Sequence, residues 1–118
     1  MKTLVRTFAL LSLAWSAATL AHTHLVRSMP VDGADVASSP PEAVLVFAEP
    51  VTIATAKIES SEGMKSALSP PEGAHAEVHV KLPVLAPGRY RLSWRAASAD
   101  GHVMTGQISF TVGDSAQH

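Results

Sequence analysis

From Glu77 onward the chain alternates apolar and polar residues with a period of two. Val78, Val80 and Leu82 are separated by His79 and Lys81; Tyr90, Leu92, Trp94 and Ala96 are separated by Arg91, Ser93 and Arg95. Met104, Ile108, Phe110 and Val112 alternate with polar neighbours in the same way, and Gly106 holds a place on their apolar side. Successive side chains of a strand point to opposite faces, so each run predicts a half-buried strand with one wet face. Ala43 to Phe47, a continuous apolar run, predicts another strand, as do His24 to Ser28 and Val51 to Glu59, the last broken or bent near its small residues. Between the runs stand Pro30-Val31-Asp32-Gly33, Ser38-Ser39-Pro40-Pro41, Glu62-Gly63, Ser69 to Gly73, Ala86-Pro87-Gly88 and Asp100-Gly101, each suited to a turn. No stretch sustains a helical period and no internal repeat is visible. Six or seven short strands with turn signals between them predict an all-β fold, an antiparallel sandwich of Greek-key type.

The first 21 residues have a different pattern. Lys2 and Arg6 precede an uncharged run from Phe8 to Ala21, the charged, apolar and small-residue order of a secretory signal peptide. The run is short of the ~20 residues that span a bilayer. Cuts after Ala18 and after Ala21 both satisfy the small-x-small rule, and the second leaves His22 as the first residue. The expected organisation is a signal peptide over 1–21 and one domain over 22–118. Nothing after Ala21 is apolar enough to span a membrane, so a soluble product in an exported compartment is expected; a monomer is the expected state.

Composition removes several chemistries. The chain has no Cys, hence no disulfide, no thiolate metal site and no thiol nucleophile. Nine Lys and Arg against ten Asp and Glu, with 5% aromatic residues, give neither the charge excess nor the stacking rings of a nucleic-acid binder. What is generous is histidine, with six in the chain.

Two histidine groups stand out. His22-Thr23-His24 lies at the expected new N-terminus, where a first-position His offers its α-amine and Nδ1 to one metal ion as a chelate. Asp100-Gly101-His102 places a carboxylate and an imidazole two residues apart, on one side of the chain if it is extended. Amine, imidazoles and carboxylate form a mixed nitrogen and oxygen set that suits Cu(II). Each group also has a plain reading, a solvated terminus and an ordinary Asp-Gly turn. His75 and His79, four apart, lie ~13 Å from each other on a strand and cannot share an ion, so solvent exposure is expected for both.

The longer pattern decides between these readings. His22-Thr23-His24-Leu25-Val26, Ser28-Met29-Pro30, Asp32-Gly33-Ala34 and Val46-Phe47-Ala48-Glu49-Pro50-Val51 are followed by Leu85 to His102, with Tyr90-x-x-x-Trp94-Arg95 and Ser98-Ala99-Asp100-Gly101-His102, then by Thr105-Gly106-Gln107-Ile108-Ser109-Phe110. In this order they resemble the CopC family of periplasmic copper-binding, copper-resistance proteins from His22 to about Val112. The resemblance implies an Ig-like or cupredoxin-like Greek-key β-sandwich or barrel of about seven strands with one Cu(II) ion near one end. Its ligands fall on His22, through amine and Nδ1, and on Asp100 and His102. Glu49 matches an acidic position near the metal, as a weak ligand or a group behind the ligands, and His24 is at most an axial or outer neighbour. An inner-membrane copper transporter of the CopD kind is the implied partner. Some members hold Cu(I) in a Met-rich loop; the matching stretch here, Ala56 to Leu68, has only Met64, so a Cu(II)-only protein is expected.

The expected role is capture, buffering or delivery of copper, without catalysis. Two alternatives remain at this level: a copper-dependent redox enzyme with a monooxygenase-like histidine brace, and a metal-free sandwich used for protein interaction.

Overall fold

The computed structural model describes residues 24–114. They form seven strands and, among themselves, no helix: β1 (Leu25–Met29), β2 (Ala34–Val36), β3 (Glu42–Ser60), β4 (Lys65–Leu68), β5 (His75–Lys81), β6 (Gly88–Ser98) and β7 (Val103–Val112). The all-β expectation holds. The expected signal peptide lies outside the described residues.

β3 is the spine of the fold. One of its edges carries β5 along Glu42 to Val46 and β4 along Ala56 to Glu59. The other edge carries β1 along Val44 to Phe47 and then β6 along Val51 to Ser60. β7 follows on β6 from Gly88↔Val112 to Ala97↔Val103, and β2 closes the far side. The sheet thus curls around one apolar interior.

Two features differ from the alternation pattern. The runs 43–47 and 51–59 are one strand: Glu49 and Pro50 do not end it but lie where its partners change. Pro50 has no amide hydrogen to give, and it falls in the interval where the register with β5 shifts. The bend expected near small residues is present, as a register shift between Ile53 and Thr55 around Ala54. The second difference is β2, which runs parallel to β7 in a sandwich expected to be antiparallel. The Pro30–Gly33 connection carries the chain across the end of the sheet, so β2 does not return beside β1. β2 and β4 have three and four residues, too few for alternation to mark them.

The interior is the apolar side of each run. Leu45, Ile58, Val80, Leu92 and Ile108 are fully enclosed, and Trp94 and Tyr90 are buried as expected. Phe47 meets Trp94 edge to face with centroids 6.3 Å apart. Tyr90 stacks on Phe110 and donates its hydroxyl to the Ala86 carbonyl at 2.6 Å, which satisfies the one polar atom it takes inside. Gly106 pairs with Trp94 across β6 and β7, and a Cβ built there would stand 2.5 Å from the indole Cζ2. The glycine is a space for the ring.

Candidate metal centre

The described part of the site is made by the β6–β7 turn. Ser98 N–H donates to the His102 carbonyl and Gly101 N–H to the Ser98 carbonyl, each at 2.9 Å, so the chain reverses within 98–102. Gly101 has φ +91°, a left-handed conformation that a side chain would strain. Inside this turn Asp100 is held from three sides. Its Oδ1 accepts from the Ser98 hydroxyl and from the His102 amide at 3.2 Å, and its Oδ2 lies 2.9 Å from His102 Nδ1. Carboxylate and imidazole do meet, but through turn geometry and not through the alternation of an extended chain.

The Ser98 hydroxyl first, then the imidazole and amide of His102, hold the Asp100 carboxyl well below the usual carboxylate range. Asp100 is therefore an anion at any pH near neutrality. With His102 it offers a cation one oxygen donor and one nitrogen donor. His102 can bind such an ion beside Asp100, or through Nε2 while Asp100 orients the ring from behind.

Strand order brings the other candidates to the same place. The Ala48 amide donates to the His24 carbonyl at 3.0 Å, just before Leu25 pairs with Phe47. On the same edge of β3 the pairing with β6 starts at Val51↔Ser98. The start of β1 and the end of β6 therefore abut along Ala48 to Val51, with Glu49 and Pro50 between them. His24, Glu49, Asp100 and His102 are all exposed at this pole. Among the described residues no three His, Asp or Glu side chains close on a metal ion. His22, the expected chelating residue, lies outside the described residues, two positions before the point where the chain is bonded to Ala48.

The other histidines are elsewhere. His75 lies opposite Val51 on the far edge of β3, ~10 Å from Ser98 by strand spacing, and contacts the Glu72 carbonyl. His79 stands between Glu42, at 3.0 Å from Nδ1, and Glu77, at 2.8 Å from Nε2. Both histidines are exposed as expected. The carboxylates around His79 were not foreseen, because Glu42 is 37 residues away in sequence. Ala56 to Leu68, the stretch that matches the Met-rich loop of some family members, is a hairpin of β3 and β4 whose turn is tied by Ser60 Oγ, accepting from the amides of Glu62 and Met64. Met64 is the one thioether in it.

Comparison with known proteins identifies the fold's relatives. The model of the CopC domain matches residues 25–113. The chain belongs to the CopC family. It is 36% identical over 108 residues to copper resistance protein C of Xanthomonas campestris pv. juglandis, covering 82% of this chain and 84% of that protein. It is 33% identical over 101 residues to copper transport protein CutJ of Bacillus subtilis (strain 168), covering 80% of this chain but spanning only 19% of CutJ. Among solved structures, CopC from Methylosinus trichosporium OB3b superposes with a TM-score of 0.70 at 31% identity, over 79% of this chain and 95% of that one. PcoC, a methionine-rich copper resistance protein from Escherichia coli, superposes at 0.63 and 29% identity, over 78% and 99%. The matched CopC segment contains Asp100, His102, Glu49 and the start of β1, and stops short of His22.

Proposed function

We propose that this protein is an exported, periplasmic Cu(II)-binding protein that captures, buffers or delivers copper by binding it and not by catalysis. One ion is held by the amine and imidazole of His22 together with Asp100 and His102, while Glu49 and His24 flank it. The observation that carries this reading is the Asp100–His102 pair, fixed in its turn at the one interval of β3 where the start of β1 arrives. The relatives named for copper resistance and copper transport support copper as the ion. The donor set is nitrogen and oxygen, which favours Cu(II) over Cu(I), and the lone Met64 in the β3–β4 hairpin supports a Cu(II)-only protein. Transfer to an inner-membrane transporter of the CopD kind is the corresponding route for delivery.

Competition titration with Cu(II) on residues 22–118 tests the assignment. Losing even a residue behind the ligands costs ~10–100-fold in affinity, so His102→Ala is expected to weaken binding by at least that much. His79→Ala, on a different face, is expected to leave it unchanged. Equal affinities for the two variants would overturn the ligand set.

A further inference from the structure

Five of the seven Lys and Arg among the described residues are gathered on one face. Glu59 lies opposite Arg91 on one side and Lys65 on the other, Lys57 lies opposite Ser93, and Arg95 lies between Thr55 and Thr105. Arg89, two residues before Arg91, pairs with Thr111 and shares the same outward side. These five cations are exposed, while Ile58, Leu92 and Ile108 between them point into the core. The carboxylates here are Glu59, which lies 3.6–3.9 Å from Arg91, Lys57 and Lys65, Asp35 on the β2 edge, and Asp32, which accepts from the Ser109 amide. Among the described residues neither Arg89 nor Arg95 has an ion-pair partner. Five cations thus face three carboxylates on this side, with Glu62 at its rim in the β3–β4 turn, and on the rest of residues 24–114 two cations, Arg27 and Lys81, face six. A protein with a negative net charge presents a positive sheet.

The chemistry of the face selects its partner. Its other outward residues are Thr55, Ala67, Ser93, Ala97, Thr105, Gln107, Ser109 and Thr111, with no aromatic side chain, and its one exposed large aliphatic is Val103, at the end beside the β6–β7 turn. It therefore lacks the buried aromatic anchors that concentrate binding energy in protein interfaces, and the rings on which nucleic-acid bases stack. A layer of phosphates needs only dispersed cations on an open surface. Arg89 and Arg95 lie ~20 Å apart along β6, and a shallow groove of about 700 Å³ opens between Lys65, Arg89 and Arg91. We propose that the outer face of β4, β3, β6 and β7 docks on an anionic phospholipid surface by charge alone. β6 carries the basic row and ends at Ser98, so the Asp100–His102 turn projects past one end of the footprint and stays open to solvent. No helix of the described residues is long and apolar enough to cross a membrane, and this mode of attachment needs none.

The test is partition of residues 22–118, which contain every described strand and the whole described core, onto lipid vesicles. Vesicles of phosphatidylcholine with phosphatidylglycerol are expected to bind the protein at low ionic strength, and pure phosphatidylcholine is not. Binding is expected to vanish near ~1 M NaCl, where the screening length falls to ~3 Å. Arg89→Gln with Arg95→Gln, neither of which breaks an ion pair, is expected to lower partition about tenfold or more. Arg27→Gln with Lys81→Gln removes the same charge from other parts of the surface and is expected to leave partition within about twofold. Absence of binding to anionic vesicles, or an equal loss in both double variants, would overturn the proposal. Binding to polyglutamate without binding to vesicles would reassign the face to an acidic protein and overturn it as well.

Discussion

His79 has a carboxylate at each ring nitrogen, Glu42 from the start of β3 and Glu77 from its own strand. A neutral imidazole has one N–H and can donate to only one of them; the imidazolium donates to both. The hydrogen bond to Glu42, and then that to Glu77, raise the pKa of His79 above its ordinary 6.5. A histidine whose folded pKa is raised contributes stability that is complete below the unfolded value and is lost as pH rises through the folded one. An NMR titration is expected to place His79 above 6.5, with Glu42→Gln lowering it more than Glu77→Gln. A titration at or below 6.5 in the parent protein would show that the two contacts do not persist in solution. Asp100 has the reverse shift, so it is an anion at any pH near neutrality.

Among the strands, what alternation can reveal depends on length. β5, β6 and β7 are legible from sequence because each has three or more apolar residues at period two, and the side predicted to be inside is inside. β2 and β4 are not, since three or four residues cannot establish a period, and the continuity of β3 through Pro50 is not, since a proline reads as a break. Gly106 is a case where the reading was right and the structure supplies the reason. It stands on the apolar side of β7 because the Trp94 indole of β6 lies over it. Gly106→Ala is expected to destabilise the fold by about 1–3 kcal/mol, the usual cost of overpacking a filled core. Denaturant unfolding measures it, and a loss below about 0.5 kcal/mol would mean that the ring moves aside freely. The Asp100–His102 pair was legible for the wrong reason. The two residues meet because Gly101 permits a tight turn, whereas strand alternation would have needed the chain extended.

Taken as a whole, the molecule separates its chemistries. Register puts the basic residues on the β4, β3, β6 and β7 face, and the spine β3 brings the start of β1 to the end of β6. The arginine row of β6 can be read from its alternation, but Lys57 and Lys65 join it only through pairing, which a sequence does not print. The same holds for the proposed metal site, whose described parts come from positions 24, 49 and 98–102. The long edge of β3 is the physical reason that the start of β1, Glu49 and the end of β6 come to one region. The N-terminal half of the proposed ligand set hangs on one covalent requirement, that His22 be the first residue of the exported chain. Its amine and Nδ1 can close a ring on one ion only if no residue precedes it. The Cu(II) affinity of residues 22–118 should therefore be compared with that of the same chain extended by one residue, Ala21, which leaves every side chain in place and moves only the amine. A loss of about a hundredfold or more is the expected result, and an unchanged affinity would contradict the proposed site.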